Sequence, residues 1–290
     1  LLAYGQTGSG KTHTMQGIGA GDMRGIIPRA VQQVAEYKLK LEEQGWEYSM
    51  QVSFVEIYCE KIRDLLKKSS NGTKKSVGGS SSMGGSNDSG EHKILRNDYG
   101  ANEITGVNMV SVDPADEEAM AQLMEIASLA RATKKTDMNE TSSRSHSVFT
   151  LHLKAINKKL NAHIAGQLNL CDLAGSERVD RSGAKGVTLT EAKNINKSLA
   201  ALAHVFESLS KQAAHVPFRD STLTYLLEPS LSGNGKTLMI INLSPTEMSV
   251  NESVSTLRFG AKVNKVELGK PKRQIGSGKS KEKDSKSSSK

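Results

Sequence analysis

The stretch Gly5-Gln6-Thr7-Gly8-Ser9-Gly10-Lys11-Thr12 satisfies the pattern G-x-x-x-x-G-K-[ST]. Glycines at these positions let successive backbone N–H groups turn inward around a polyphosphate, and the helix that follows offers its positive end. In such a loop Lys11 reaches the terminal phosphates and the Thr12 hydroxyl serves Mg²⁺. Leu1-Leu2-Ala3-Tyr4 enters the loop as a short apolar run, the expected end of a buried strand, and His13-Thr14-Met15 continues as helix. A loop of this kind lies at the carboxyl end of a strand in a doubly wound sheet. Strands are therefore expected on both sides of it, some of them ahead of residue 1.

Working outward, the 290 residues suffice for one large α/β domain or two smaller ones. No secretory leader is recognisable, and no apolar run approaches the roughly 18 residues of a membrane span. Cys59 and Cys171 sit in apolar, strand-like segments and read as buried thiols. The net charge is +8, yet residues 270–290 carry eight Lys or Arg against two acids, six of those eight charges. A nearly neutral body argues against nucleic acid as the partner, and any anionic surface must be met by a local patch.

Two segments lack the apolar content to fold. Fourteen of the 22 residues 69–90 are Ser or Gly, which reads as a disordered insertion, and the Ser/Lys-rich 269–290 reads as an unstructured tail. Between them the pattern alternates. Helices are expected over Ile26–Leu41, after Asp113-Pro114-Ala115-Asp116-Glu117, over Thr190–Leu209 and over Asn251–Val266. Strands are expected over Tyr48–Tyr58, Glu103–Val112, Ser147–Ile156, His163–Cys171 and Thr237–Leu243. In the long helix Ile195, Leu199, Leu202, Phe206 and Leu209 form one apolar stripe, the expected core face. The fold class is thus α/β: a central, mostly parallel sheet of the P-loop NTPase type, flanked by helices.

A P-loop enzyme must hold Mg²⁺, place a water in line with the γ-phosphate and sense that phosphate. Asp172-Leu173-Ala174-Gly175 ends an apolar strand, so Asp172 can hold the metal through a water and Gly175 can bring a backbone N–H near the phosphate. Asn139-Glu140-Thr141-Ser142-Ser143-Arg144-Ser145-His146 gathers hydroxyls, an Arg and a His just before a strand.

Together, Gly5–Thr12, N-x-x-S-S-R-S-H at 139–146 and D-L-A-G-S-E at 172–177 strongly resemble the kinesin motor domain. The resemblance covers residues 1–268, sparing the insertion, and includes His215-Val216-Pro217-Phe218-Arg219-Asp220-Ser221 and Ser255-Thr256-Leu257-Arg258-Phe259-Gly260-Ala261-Lys262. It implies an ATP site from Gly5 through His13, with Thr12, Ser143 and, through a water, Asp172 around Mg²⁺. It further implies Ser142, Ser143 and Gly175 about the lytic water, and an Arg144–Glu177 ion pair that closes the two switch loops. Arg181, Lys185, Lys197, Lys211 and Arg219 would contact the acidic tubulin surface.

The run Phe259–Gly269 is similar to the C-terminal-motor kinesins, which usually move toward microtubule minus ends. The resemblance therefore implies a microtubule motor of the cytoskeleton, the spindle included, paired through a coiled coil outside this chain. Kinesin motors carry their first strands and an Arg/Pro-containing adenine pocket ahead of the P-loop. No Arg-Pro dipeptide occurs here, so a fragment lacking the first strands is expected, and a non-catalytic microtubule tether stands as the alternative. A GTPase is disfavoured because no N-K-x-D motif is present.

Overall fold

The computed structural model describes residues 1–19, 21–67, 92–113, 116–132, 141–177, 187–233, 235–269 and 275–277. The Ser/Gly stretch 69–90 lies outside them. Strands are β1 (Leu2–Tyr4), β2 (Glu47–Tyr58), β3 (Lys61–Asp64), β4 (Ile94–Arg96), β5 (Asn102–Ile104), β6 (Val110–Ser111), β7 (His146–Asn157), β8 (Ala162–Asp172), β9 (Met239–Ile241) and β10 (Ile275–Ser277). Helices are α1 (Lys11–Met15), α2 (Ile26–Glu42), α3 (Glu117–Ala132), α4 (Val187–Ser210), α5 (Thr222–Leu231) and α6 (Val250–Val263).

The main sheet runs β3-β2-β7-β8-β1-β9, with β6 beside β2 and β10 beside β8. It is mixed, where the sequence reading expected a mostly parallel one. Among the described residues only β1 pairs in parallel, with β8 and β9, while β3, β2, β7 and β8 form antiparallel ladders. Short connections, which permit hairpins and exclude the long crossovers that parallel strands need, set the β2–β3 and β7–β8 ladders, whereas β2 and β7 pair across a long stretch of chain. Between β7 and β8 the chain turns over residues 158–161, where Asn161 takes φ 47 and Asn157 Oδ1 accepts the Leu160 N–H at 3.0 Å.

Both faces of the sheet are covered, so central strands bury alternate residues on opposite sides. Met50, Val52 and Phe54 of β2 join Ile27 and Val31 of α2 on one side. Val55 and Ile57 join Leu199, Leu202 and Phe206 of α4 with Leu223 and Leu227 of α5 on the other. The predicted α4 stripe is therefore core wherever its side chains are described.

Three expectations change. The strand expected over Glu103–Val112 breaks into β5 and β6 because Gly106 turns the chain at φ 73, sending β5 to β4 and β6 to β2. The tail is not wholly irregular, since Ile275–Ser277 pairs with Ala162–Ile164. β8 is 11 residues long and β1 only 3, so the first half of β8 would otherwise present an open edge. Cys59 lies half-buried in the β2–β3 turn with φ 49, and only Cys171 is a buried strand thiol, its pKa pushed up to about 11 by burial.

Helix α5 was not among the expected helices, and it carries Pro229 inside it. A proline removes the N–H that would bond the carbonyl four residues earlier. Here that carbonyl belongs to Tyr225, and Asn102 Nδ2 donates to it at 2.6 Å. A side chain of β5 thus supplies the donor that the helix lacks.

Candidate functional site

β1 delivers the glycine loop between β9 and β8, the latter ending in Asp172. Ala3 is in register with Asp172 of β8 and with Ile240 of β9. Gly10, just before α1, has φ 89, a left-handed conformation that a residue with a Cβ adopts only at a cost. The turn aims Lys11 back across the loop, where Nζ donates to the carbonyls of Gly5 and Gln6, both at 2.8 Å. Burial lowers the Lys11 pKa, and the charges of Asp172 and Glu177 oppose that shift.

The Thr12 hydroxyl donates to Asp172 Oδ2 at 2.6 Å. Asp172 is 3% exposed, and its Oδ1 is a buried acceptor with no hydrogen-bond partner. Buried carboxylate oxygens are ordinarily satisfied. A hydroxyl, a carboxylate and a spare lone pair at the mouth of a phosphate loop fit a hard, oxygen-seeking Mg²⁺ and its waters. Thr7, Gly8, Gly10, Lys11, Thr12 and His13 line a cleft of about 290 Å³ together with Ser143, Asp172 and Leu173. Gln6 turns away from this cleft, donating through Nε2 to Ser249 Oγ at 2.8 Å.

The two switch segments meet each other and the loop. Thr141–Arg144 forms a 3₁₀ turn entering β7, and the Ser143 carbonyl accepts the Gly175 N–H at 2.9 Å. Ser176 N–H donates to the Gly5 carbonyl at 3.2 Å. Both Glu177 oxygens are engaged by Thr7, the backbone N–H at 2.8 Å and the hydroxyl at 2.5 Å. Glu177 therefore rests on the P-loop, a contact that the motif reading did not foresee. Arg144 is half-buried at the end of the 3₁₀ turn, and of Ser142 only the backbone is described.

Sequence reasoning missed the network behind the site. Arg131 of α3 lies 3.5 Å from Asp172 Oδ2 and 3.7 Å from Glu56 Oε1, and Ser145 Oγ donates to Glu56 Oε1 at 2.6 Å. Arg63 joins Glu56 from β3 at 3.3 Å. The available signal was Glu56 itself, an acid 2% exposed inside an apolar strand, which has to be paired.

His146 also has a role that its motif did not reveal. Its Nδ1 accepts the Ala174 N–H at 3.0 Å, so Nε2 carries the ring proton and donates to Ser198 Oγ of α4 at 2.7 Å. Burial, then the charges of Arg131 and Lys11, lower its pKa to about 3. The ring is neutral and ties the Asp172–Gly175 loop to the long helix.

Of the residues expected to face tubulin, Arg181 and Lys185 lie outside the described residues. Lys197 is exposed on α4 and Lys211 just past its end, Lys211 pairing with Glu207 at 2.5 Å. Arg219 is exposed in the 3₁₀ turn Phe218–Asp220, 5.7 Å over the Tyr225 ring, and that turn packs on α4 and α5.

Comparison with known proteins places these features in one lineage. The kinesin motor domain family matches residues 1–266. The kinesin-like protein KIN-14D of Arabidopsis thaliana is 46% identical over 275 residues, 94% of this chain and 34% of that protein. KAR3 of Saccharomyces cerevisiae is 42% identical over 271 residues, 92% of this chain and 35% of its own length. The chain thus spans about a third of these relatives. Among solved structures, a KIF14 dimer with AMP-PNP in complex with a microtubule superposes with a TM-score of 0.76 at 35% identity, covering 94% of this chain and 72% of that one. With its P-loop and both switch segments joined around one cleft, and with relatives among the kinesin-14 proteins, the chain belongs to the kinesin motor domain family.

Proposed function

We propose that this chain is the catalytic part of a microtubule motor that binds and hydrolyses ATP, of the minus-end-directed, C-terminal-motor kind. The observation that carries it is the hydrogen-bonded convergence of Gly5–Thr12, Ser143 and Asp172–Glu177 on one cleft. Lys11, held by two carbonyls, is the cation that exchanges these partners for phosphate oxygens. Thr12 and Ser143 with Asp172 would hold Mg²⁺, which when bound draws charge from the phosphates and orients them.

Ser142, Ser143 and Gly175 then surround the attacking water. Glu177 moves from Thr7 to Arg144 as the loops close, forming a charge-assisted pair. His146 passes the position of the Gly175 loop to α4, whose exposed side carries Lys197 toward tubulin, with Lys211 just past the helix end. Arg181, Lys185 and Arg219 are further contacts to tubulin. The partner is the microtubule, the location the cytoskeleton and spindle, and pairing of two motors is through a coiled coil supplied by the longer protein.

The test is the ATPase rate of the purified protein with and without microtubules, beside Glu177→Ala. Wild type should be stimulated by microtubules, while Glu177→Ala keeps its affinity for ATP and loses stimulated turnover by at least about a hundredfold. Undiminished turnover in Glu177→Ala would remove Glu177 from the reaction; no stimulation of wild type would leave only a non-catalytic microtubule tether.

A further inference from the structure

The β2–β3 turn lies away from the phosphate cleft and takes no part in the chemistry above. Its two residues, Cys59 and Glu60, have φ 49 and φ 64. Two-residue hairpins with both φ values positive are ordinarily built from Asn and Gly, because a Cβ is disfavoured there. A turn made of Cys and Glu needs support from outside itself. Glu60 has that support from α5: its Oε2 accepts the Thr222 N–H at 2.6 Å, and its carbonyl accepts the Thr222 hydroxyl at 2.8 Å.

Thr222 is the first residue of α5, and its N–H is one of the donors that a helix cannot satisfy internally. Ser221 Oγ accepts a second such donor, Thr224 N, at 3.1 Å, and the Thr224 hydroxyl reaches back to the Phe218 carbonyl at 2.7 Å. The turn Phe218-Arg219-Asp220 is therefore fixed to the start of α5, and that start is fixed to Glu60. Farther along, Asn102 holds Tyr225 and Arg96 pairs with Glu228 at 3.5 Å. The helix is mounted at its beginning on β2–β3 and along its length on β4–β5.

We propose that Glu60 is a positioning residue for microtubule recognition: its two-point clamp on Thr222 sets where Arg219 stands on the polymer-facing surface. The proposal rests on the reading that Arg219 meets tubulin. Glu60 touches neither the cleft nor the polymer and acts through α5 alone.

The test is made in the full chain, with microtubule affinity measured by co-sedimentation and turnover measured at saturating microtubules. Loss of a charge-assisted hydrogen bond corresponds to roughly a tenfold change in an equilibrium. Glu60→Ala should therefore weaken microtubule affinity by about five- to tenfold, with saturated turnover within about twofold of wild type. Glu60→Gln, which keeps an acceptor, should weaken it less. Thr222→Val should weaken affinity, Thr222→Ser should restore it, and the double variant Glu60→Ala/Thr222→Val should lose less than the two single losses combined.

Unchanged affinity in Glu60→Ala, while Arg219→Ala weakens binding, would overturn the clamp and spare the reading of Arg219. Unchanged affinity in Arg219→Ala would overturn that reading itself. Equal losses of nucleotide affinity, turnover and microtubule affinity would mark Glu60 as merely structural and overturn the proposal. If Glu60→Ala does not fold, the Thr222→Val and Thr222→Ser pair decides the question alone.

Discussion

Gly175 occupies a position with no room for a side chain, since a Cβ there would meet both oxygens of Glu177 and the hydroxyl of Thr7. Gly175→Ala should crowd Glu177 and Thr7, keep the Gly175 N–H back from the γ-phosphate and cut microtubule-stimulated turnover by at least about tenfold, with ATP binding retained; a fluorescent ATP analogue and a steady-state assay separate the two. His146 supports a different experiment. Its folded pKa is about 3 against an ordinary 6.5, so the fold favours the neutral ring and its contribution is complete above pH 6.5. Below that the unfolded chain takes up a proton that the folded one refuses, and stability falls by about 1.4 kcal/mol per pH unit until the folded pKa is reached. Urea unfolding at pH 7.5 and 5.5 should show a loss in wild type that His146→Gln lacks, about 1 kcal/mol of difference. The sequence made the phosphate-binding residues legible because backbone geometry demands glycines, a lysine and a hydroxyl at fixed spacing. It left Arg131 illegible, because a buried ion pair is set by the distance between α3 and two strands, which no local spacing records.

At the scale of elements, the strands and helices with long periodic patterns were foreseeable, as α2, α4, α6, β2, β7 and β8 illustrate. α5 was not, and the reason is specific: Pro229 reads as a helix breaker until Asn102 is seen donating to the carbonyl that it strands. Asn102 is 3% exposed, so removing its amide leaves the Tyr225 carbonyl without that donor. Asn102→Ala should cost about 1–3 kcal/mol of folding stability, read as a lower urea midpoint with an unchanged slope. An unchanged midpoint would mean that α5 does not depend on β5. The parallel bias expected for the sheet failed for a similar reason. Strand direction follows from connection length and turn conformation, and the left-handed Asn161 is invisible to a hydrophobicity pattern.

For the molecule as a whole, the charge is concentrated at one end, with the body near neutrality. If Lys197, Lys211 and Arg219 meet an acidic polymer as proposed, that binding depends on a local patch. Raising ionic strength from about 0.01 to 0.15 M shortens the screening length from about 30 to 8 Å, and microtubule affinity should fall steeply over that range. Affinity that stayed flat would rule out an electrostatic footprint. Removing residues 278–290 should leave most of this salt dependence in place, because the patch lies on α4 and the Arg219 turn.

The short pairing of Ile275–Ser277 with Ala162–Ile164 gives the molecule a mechanical axis. β8 takes the tail at its first residues and ends in Asp172, roughly 30 Å away along a strand that is stiff in tension. A load hung on the C-terminal end would therefore enter, through three paired residues, the same strand that ends in Asp172 against Thr12 of the P-loop.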